Sequence, residues 1–579
     1  MSTLIDALYS ESNKPSKCST ENGNPAYSWE EKIFEEHFTQ LYFQFVLTTD
    51  NIKKEIITNK YKLLFKQCIF NDDTEKINYM LKFIIHTRDI KDGKGLYELS
   101  YILLNIYAQE CYETKKLNKF FFIKTIKNMV SEFEINGKKQ LPYGSWKDIK
   151  YFINKLTENS REIQVSKNKK VKIHKEYVYS VINDIIKKIV VPQMIEDKKN
   201  MSIKNPVSLC CKWLPRESSN RFGWISDKIA KEFYNRVFSM NTKTVSIMKK
   251  YYRKFISKVN KYIDTTQIHM CKREWDKINF EHVTSLTMFK SKSAFLNTKN
   301  IKEEHRNICK YNLMNYIENK INNNETIKGK NILPHYLVSE VLFNEMNNTQ
   351  YDIINLQWKD LIETNRINND NSFMNKCIPC IDVSPSMESD SSIPLTSAIG
   401  LGLSIIEYSN IKSYFTFSEI PQLIDAWENI PFTEQVQKIK DSEWGGTTDI
   451  FGMFVKLLNI LKENNVPDEE VSEYSLIILS DMQFNACSYD SYENIEQTIK
   501  RKYRENGYNN IPYLVFWNLS VKNNFPSINK SEHSTMISGN NVSLLKKFMT
   551  ISLNEIKTMT SCTLIKSILD NERYNIYNM

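Results

Sequence analysis

Glycine is scarce in this chain, 14 of 579 residues, and proline is hardly commoner at 15. With 41% hydrophobic and 25% charged residues the composition is that of an ordinary globular protein, not a disordered one. No apolar run approaches the roughly 20 residues needed to span a bilayer. The first residues, "MSTLIDALYSESNKPSK", lack the basic and apolar regions of a secretory signal. The eight histidines form no cluster, and the 11 cysteines are scattered rather than set out as a disulfide framework. Together these absences predict a soluble intracellular protein, cytoplasmic, with no membrane partner.

Catalytic signatures are missing too. Gly93-Lys94-Gly95 lacks the upstream glycine and the following Ser/Thr of a phosphate-binding loop. Cys377-x-x-Cys380 has no second Cys or His pair at zinc spacing and lies in a strand-like run, where a thiol packs as a small apolar group. The chain reads as non-enzymatic.

What is present is a division. At 68.4 kDa the chain is too long for one ordinary core, so two or more domains are expected. Before Asn371 there are 61 basic and 43 acidic residues, and from Asn371 onward 17 and 25, giving nets of +18 and −8. The first portion therefore suits a polyanion and the second does not.

Residues 1–27 are polar and read as a flexible tail, and Ser28-Trp29-Glu30-Glu31 reads as a capping box that opens a helix. Helical periodicity recurs in "TEKINYMLKFIIHTR", "LYELSYILLNIYAQECY", "FFIKTIKNMVSEFE", "WKDIKYFINKL" and "KYYRKFISKVNKYI". Residues 28–362 are thus expected to be an α-helical repeat of solenoid type. The Asn-rich stretch 363–376 reads as a linker. Over 377–579 apolar strands ("CIPCID", "SYFTFS", "YSLIILSD", "YLVFWNLS", "STMISG") alternate with helices, which predicts an α/β domain with a largely parallel sheet.

Such sheets bind ligands at the carboxyl ends of their strands. There the sequence places Asp382, Ser384 and Ser386 after one strand and Asp481 after another, with "WGGTTDIFGMF" between them. Oxygen-only donors of low total charge suit a hard cation, Mg²⁺ or Mn²⁺. The pattern resembles the metal-ion-dependent adhesion site of Rossmann-like von Willebrand factor A domains. That resemblance implies that Ser384, Ser386 and a threonine bind the metal directly while Asp382 and Asp481 act through water. The threonine is Thr448, which precedes Asp449 as in relatives with a Thr-Asp pair, or else Thr447. Pro385 departs from the glycine of many members and biases Ser384 toward extended backbone. An open position on the metal would accept an acidic residue of a protein partner.

"RDIKDGKG", "YGSWKDI", "KWLPRES", "LPHYLV" and "LQWKDLI" resemble a family of unknown function from plants and large DNA viruses, in which a helical portion precedes a von Willebrand-type domain. A viral source would make a virion location open. More distantly the order is similar to the Ro (TROVE) ribonucleoproteins, which implies binding of structured or single-stranded RNA. From the residues themselves, two segments concentrate positive charge. One carries Lys167, Lys169, Lys170, Lys172 and Lys175. The other interleaves Lys249, Lys250, Arg253, Lys254 and Lys258 with Tyr251 and Tyr252, cations for phosphates and rings for bases. Trp146, Trp213 and Trp358 read as packing anchors.

Overall fold

The computed structural model describes residues 16–20, 23, 25–28, 33–158, 161–163, 171–173, 176–238, 244–426, 430–442, 444–485, 495–522, 524–527 and 531–575. Up to Asn365 the chain is mostly helical. The periodic segments form helices at Thr74–Arg88, Tyr97–Tyr112, Lys119–Val130, Lys147–Thr157 and Val245–Ile263. Asp50, Asp73 and Asn118 cap helices through side-chain oxygens that accept backbone N–H groups. Among the described residues no helix is long and apolar enough to cross a membrane.

The C-terminal part holds a six-stranded mixed sheet flanked by helices. Its strands are β1 (Cys377–Asp382), β2 (Ser413–Phe417), β3 (Gln422–Asp425), β4 (Ser475–Ser480), β5 (Tyr513–Asn518) and β6 (Ser534–Ser538), in the order β6-β5-β4-β1-β2-β3. All neighbours are parallel except β3, which runs antiparallel to β2 at the edge. Every residue of β4 and β5 is buried, as expected of strands covered on both faces. Cys377 and Cys380 are free thiols packed in the cores on opposite faces of the sheet.

The two parts share one core. A single apolar cluster runs from Phe38 in the helix Phe34–Gln44, through Leu337 and Trp358, to Ile381, Trp517 and Tyr574. The helix Ser389–Tyr408 packs against Pro334 at Gly400, where a Cβ would lie 2.5 Å from the proline ring, so only glycine permits this approach.

The peptide 88–95, "RDIKDGKG", is the seam between the parts. Lys94 is fully buried, and its ammonium donates to Tyr42 O (2.6 Å), Phe45 O (2.9 Å) and Ser538 Oγ of β6 (2.7 Å). Burial pushes its pKa down. The Ser538 hydroxyl already donates to Tyr42 O, however, so all three partners are acceptors and the site is built for three N–H donors. Asn541 donates to Ile90 O and Gly93 O, and Lys546 pairs with Asp92 at 2.9 Å. Arg88, in turn, pairs with Asp148 of "YGSWKDI" at 2.7 Å.

Three local expectations differ from what is found. Within the expected tail, Ser16–Ser19 and Pro25–Ser28 pair as a hairpin. Tyr27 exchanges backbone hydrogen bonds with Phe525, and Gly23 bridges to Asn485. Ser28 therefore ends a strand, and the next helix begins at Phe34 with Ile33 as its N-cap, because long-range pairing overrides the local capping signal. In the expected linker the helix Asn348–Asn365 runs on past residue 362. Phe373 and Met374 are buried there, with Phe373 N bonded to Ile551 O at 2.8 Å, so the connection is packed.

Candidate metal centre

From β1 the chain fills the sheet outward through β2 and β3 on one side, while β4, β5 and β6 fill the other. β1 and β4 are adjacent, so the strand order reverses between them, and the crevice at their carboxyl ends is where sheets of this kind take ligands. Asp382 is the last residue of β1, and Asp481 follows Ser480 at the end of β4.

Both carboxylates are buried, as are Ser384, Thr448 and Ser480. Asp382 Oδ1 accepts Ser384 N (3.0 Å) and Ser384 Oγ (2.6 Å), and Oδ2 accepts Ser480 Oγ (2.6 Å). The Ser384 and Ser386 hydroxyls lie 3.2 Å apart. Ser386 is half-buried and Pro385 exposed, so the tip of this loop faces solvent. Ser384 takes the extended backbone that a following proline favours, φ −68° and ψ 158°. Burial, and next the nearby Asp481 charge, push the Asp382 carboxyl up to about 7, against the lowering effect of the Ser384 and Ser480 hydrogen bonds.

The Gly-Gly-Thr-Thr-Asp turn reaches the same edge. Asp449 N donates to Ser418 O, just beyond β2, and Asp449 caps the helix Ile450–Glu463 through Gly452 N (2.8 Å). Gly446 has φ +66°, and a Cβ there would overlap Glu419. Thr448 is bonded through its backbone to Asn485 in both directions (3.1 and 3.3 Å), four residues beyond Asp481, while Thr447 is exposed. All five anticipated residues thus stand at one sheet edge. Asp382, Ser384 and Ser386 are linked by hydrogen bonds, and Asp481 bears on them through its charge.

The donor set fits a hard divalent cation, with two carboxylates to balance the charge and hydroxyl oxygens to fill the shell. Among the described residues no group of three or more His, Cys, Asp or Glu side chains gathers to hold a metal. A site here relies on its hydroxyls.

The anticipated basic segment is a different matter. In the helix Val245–Ile263, Tyr252 is buried and its hydroxyl donates to Pro215 O (2.9 Å), so its ring is not open to a base. Tyr251 is half-buried and packs against Phe233, Tyr234 and Phe238. Lys249 pairs with Asp227 (2.8 Å) and Arg253 with Glu217 (2.7 Å), while Lys250, Lys254 and Lys258 are exposed. Of the other segment, Val171–Ile173 forms a strand paired with Arg161–Ile163, and Lys167, Lys169, Lys170 and Lys175 lie outside the described residues. Trp146 and Trp358 are buried, the latter stacked on Phe432 at 4.0 Å, whereas Trp213 is only half-buried.

Comparison with known proteins adds relatives of similarly open function. Residues 376–572 match a family model described as Domain of unknown function (DUF7788), and residues 154–370 one described as Domain of unknown function (DUF2828). The chain is 26% identical over 500 residues to "Uncharacterized protein L728" of Acanthamoeba polyphaga mimivirus, covering 82% of this chain and 77% of that protein. The crystal structure of Deinococcus radiodurans RO (RSR) protein overlays 89% of this chain and 99% of that one, at a TM-score of 0.36 and 8% identity. That overlay is too loose to pair residues.

Proposed function

We propose that the protein is a non-enzymatic, Ro-like ribonucleoprotein scaffold. Its helical part takes RNA, and its α/β part is a von Willebrand factor A-type domain with a Mg²⁺ (or Mn²⁺) adhesion site. The observation that carries the second half is the meeting of Asp382, Ser384 and Ser386 with Asp481 at the switch point of the sheet. Ser384, Ser386 and Thr448 would hold the cation directly, with Asp382 and Asp481 behind them supplying charge. When bound, the ion would supply an electrophilic position for an outside oxygen ligand. The first half is supported by the charge division, +18 before Asn371 against −8 after it. The test is absorbance at 260 nm of the purified protein before and after nuclease treatment. Co-purifying RNA supports the scaffold, and nucleic-acid-free protein that binds no added RNA at low salt refutes it.

A second reading is a metal-dependent protein-interaction module without RNA, which grips an acidic side chain of a partner. The solvent-facing tip at Pro385 and Ser386 favours it. It predicts a partner released both by EDTA and by Ser386→Ala.

A further inference from the structure

Four cations crowd three rings where the helix Lys147–Thr157 meets the loop that joins Cys210–Trp213 to the helix Gly223–Phe238. Lys147 Nζ lies 5.2 Å from the Tyr151 ring and 5.9 Å from Trp213. Lys150 Nζ lies 5.1 Å from Trp213, 5.6 Å from Phe222 and 5.7 Å from Tyr151. Lys212 Nζ is 5.7 Å from Trp213, and the Arg221 guanidinium is 5.3 Å from Phe222 and 5.7 Å from Tyr151. Tyr151, Trp213 and Phe222 are all half-buried, with Tyr151 and Phe222 packed edge to face at 5.1 Å.

None of the four cations makes an ion pair or side-chain hydrogen bond with a described residue. In the helix Val245–Ile263, by contrast, Lys249 and Arg253 are paired, and the unpaired Lys250, Lys254 and Lys258 are exposed rather than gathered around rings. Their placement also runs against helix electrostatics. Lys147 and Lys150 occupy the first turn of one helix and Arg221 stands two residues before the next, at the ends whose dipoles favour anions. Asp148, in that same first turn, is spent on Arg88, Tyr101 and Ser145 N. Burial, and next the Lys147 charge, lower the pKa of Lys150, and burial lowers that of Lys212. A local rule broken several times at one place, with only ring contacts to offset it among the described residues, marks a site completed from outside.

We infer that this cluster binds single-stranded nucleic acid, with phosphates among Lys147, Lys150, Lys212 and Arg221 and bases against Tyr151 and Trp213. The inference rests on the RNA-binding reading above and gives it a location. Rings interleaved with cations match a strand in which flat bases alternate with phosphates, whereas an acidic peptide would use the cations alone. The ammonium groups sit at the outer margin of cation–π range. A phosphate can therefore draw them off the ring faces through side-chain rotation and leave those faces to a base.

The test is filter binding of full-length protein to single-stranded oligouridine across a salt series. The variant Lys150→Ala/Lys212→Ala/Arg221→Ala is compared with an equal charge loss on exposed positions outside either basic segment, Lys299→Ala/Lys302→Ala/Lys310→Ala. Both variants are first checked for a wild-type melting temperature. Trp213→Leu gives a separate reading of stacking. The expected result is an affinity lower by about tenfold or more in the cluster variant, with a salt slope reduced by about 2. Trp213→Leu should weaken binding without altering that slope, and the control should stay near wild type. Wild-type affinity in the cluster variant, or the larger loss in the control, overturns the location while leaving the RNA reading intact. No binding by any form, or binding of polyglutamate in preference to oligouridine, overturns both.

Discussion

Arg573 holds Asp89 by a two-pronged contact, Nε to Oδ2 at 2.7 Å and Nη2 to Oδ1 at 3.0 Å, with both side chains buried. Tyr574 adds its hydroxyl to Oδ2 at 3.0 Å, and Tyr143 donates to Arg573 O. The end of the described chain is thus bolted into the "RDIKDGKG" peptide of the helical part. Removing one member strands a buried charge, so Arg573→Ala or Asp89→Ala should cost about 3–5 kcal/mol in urea unfolding. The double variant Asp89→Leu/Arg573→Met should lose less than either. Additive losses would show that the pair is not coupled.

The shared core and the buried Lys94 make each half dependent on the other. Residues 1–370 or 371–579 expressed alone should fail to give a cooperative melt, and co-expression should recover soluble complex. A sharp transition in either isolated half would contradict the continuity of the core.

The same seam predicts a pH dependence. His86 is buried between the Tyr42 and Tyr574 hydroxyls (3.1 and 3.3 Å), and burial, then the Lys94 charge, lower its pKa well below the usual value. The native protein keeps it neutral, while the unfolded chain protonates near pH 6.5. Its contribution is therefore complete above about pH 6.5 and is lost as the pH falls below that. Relative to His86→Gln, wild type should lose up to about 1.4 kcal/mol per pH unit in that acid range. Parallel pH profiles would show that His86 is not held neutral.

Much of this was legible in the chain, for local reasons. Five of the six sheet strands are apolar runs, because strands covered on both faces must be. β3 is a four-residue edge strand, "QLID", and carries no continuous apolar signal. Asp382, Ser384 and Ser386 were visible because they follow one strand within five residues. The cluster of Lys147, Tyr151, Trp213 and Arg221 was not, since its members lie in separate segments that only tertiary packing joins. The cations of 249–258 show the opposite limit of a local pattern. They are local and conspicuous, yet two of the cations are paired by Asp227 and Glu217 from elsewhere in the chain.

The most direct test of the account is the melting temperature of full-length protein titrated with Mg²⁺ after EDTA treatment, beside Ser386→Ala. Ser386 is half-buried in the loop tip, so Ser386→Ala should spare the fold while removing the hydroxyl proposed to hold the cation. A cation that binds only the native state adds about 2.7 kcal/mol at a hundredfold excess over its dissociation constant. Wild type should show a saturable rise that is absent or shifted to much higher Mg²⁺ in the variant. Equal rises in both, or no rise in wild type with Mg²⁺ or Mn²⁺, would contradict the metal centre.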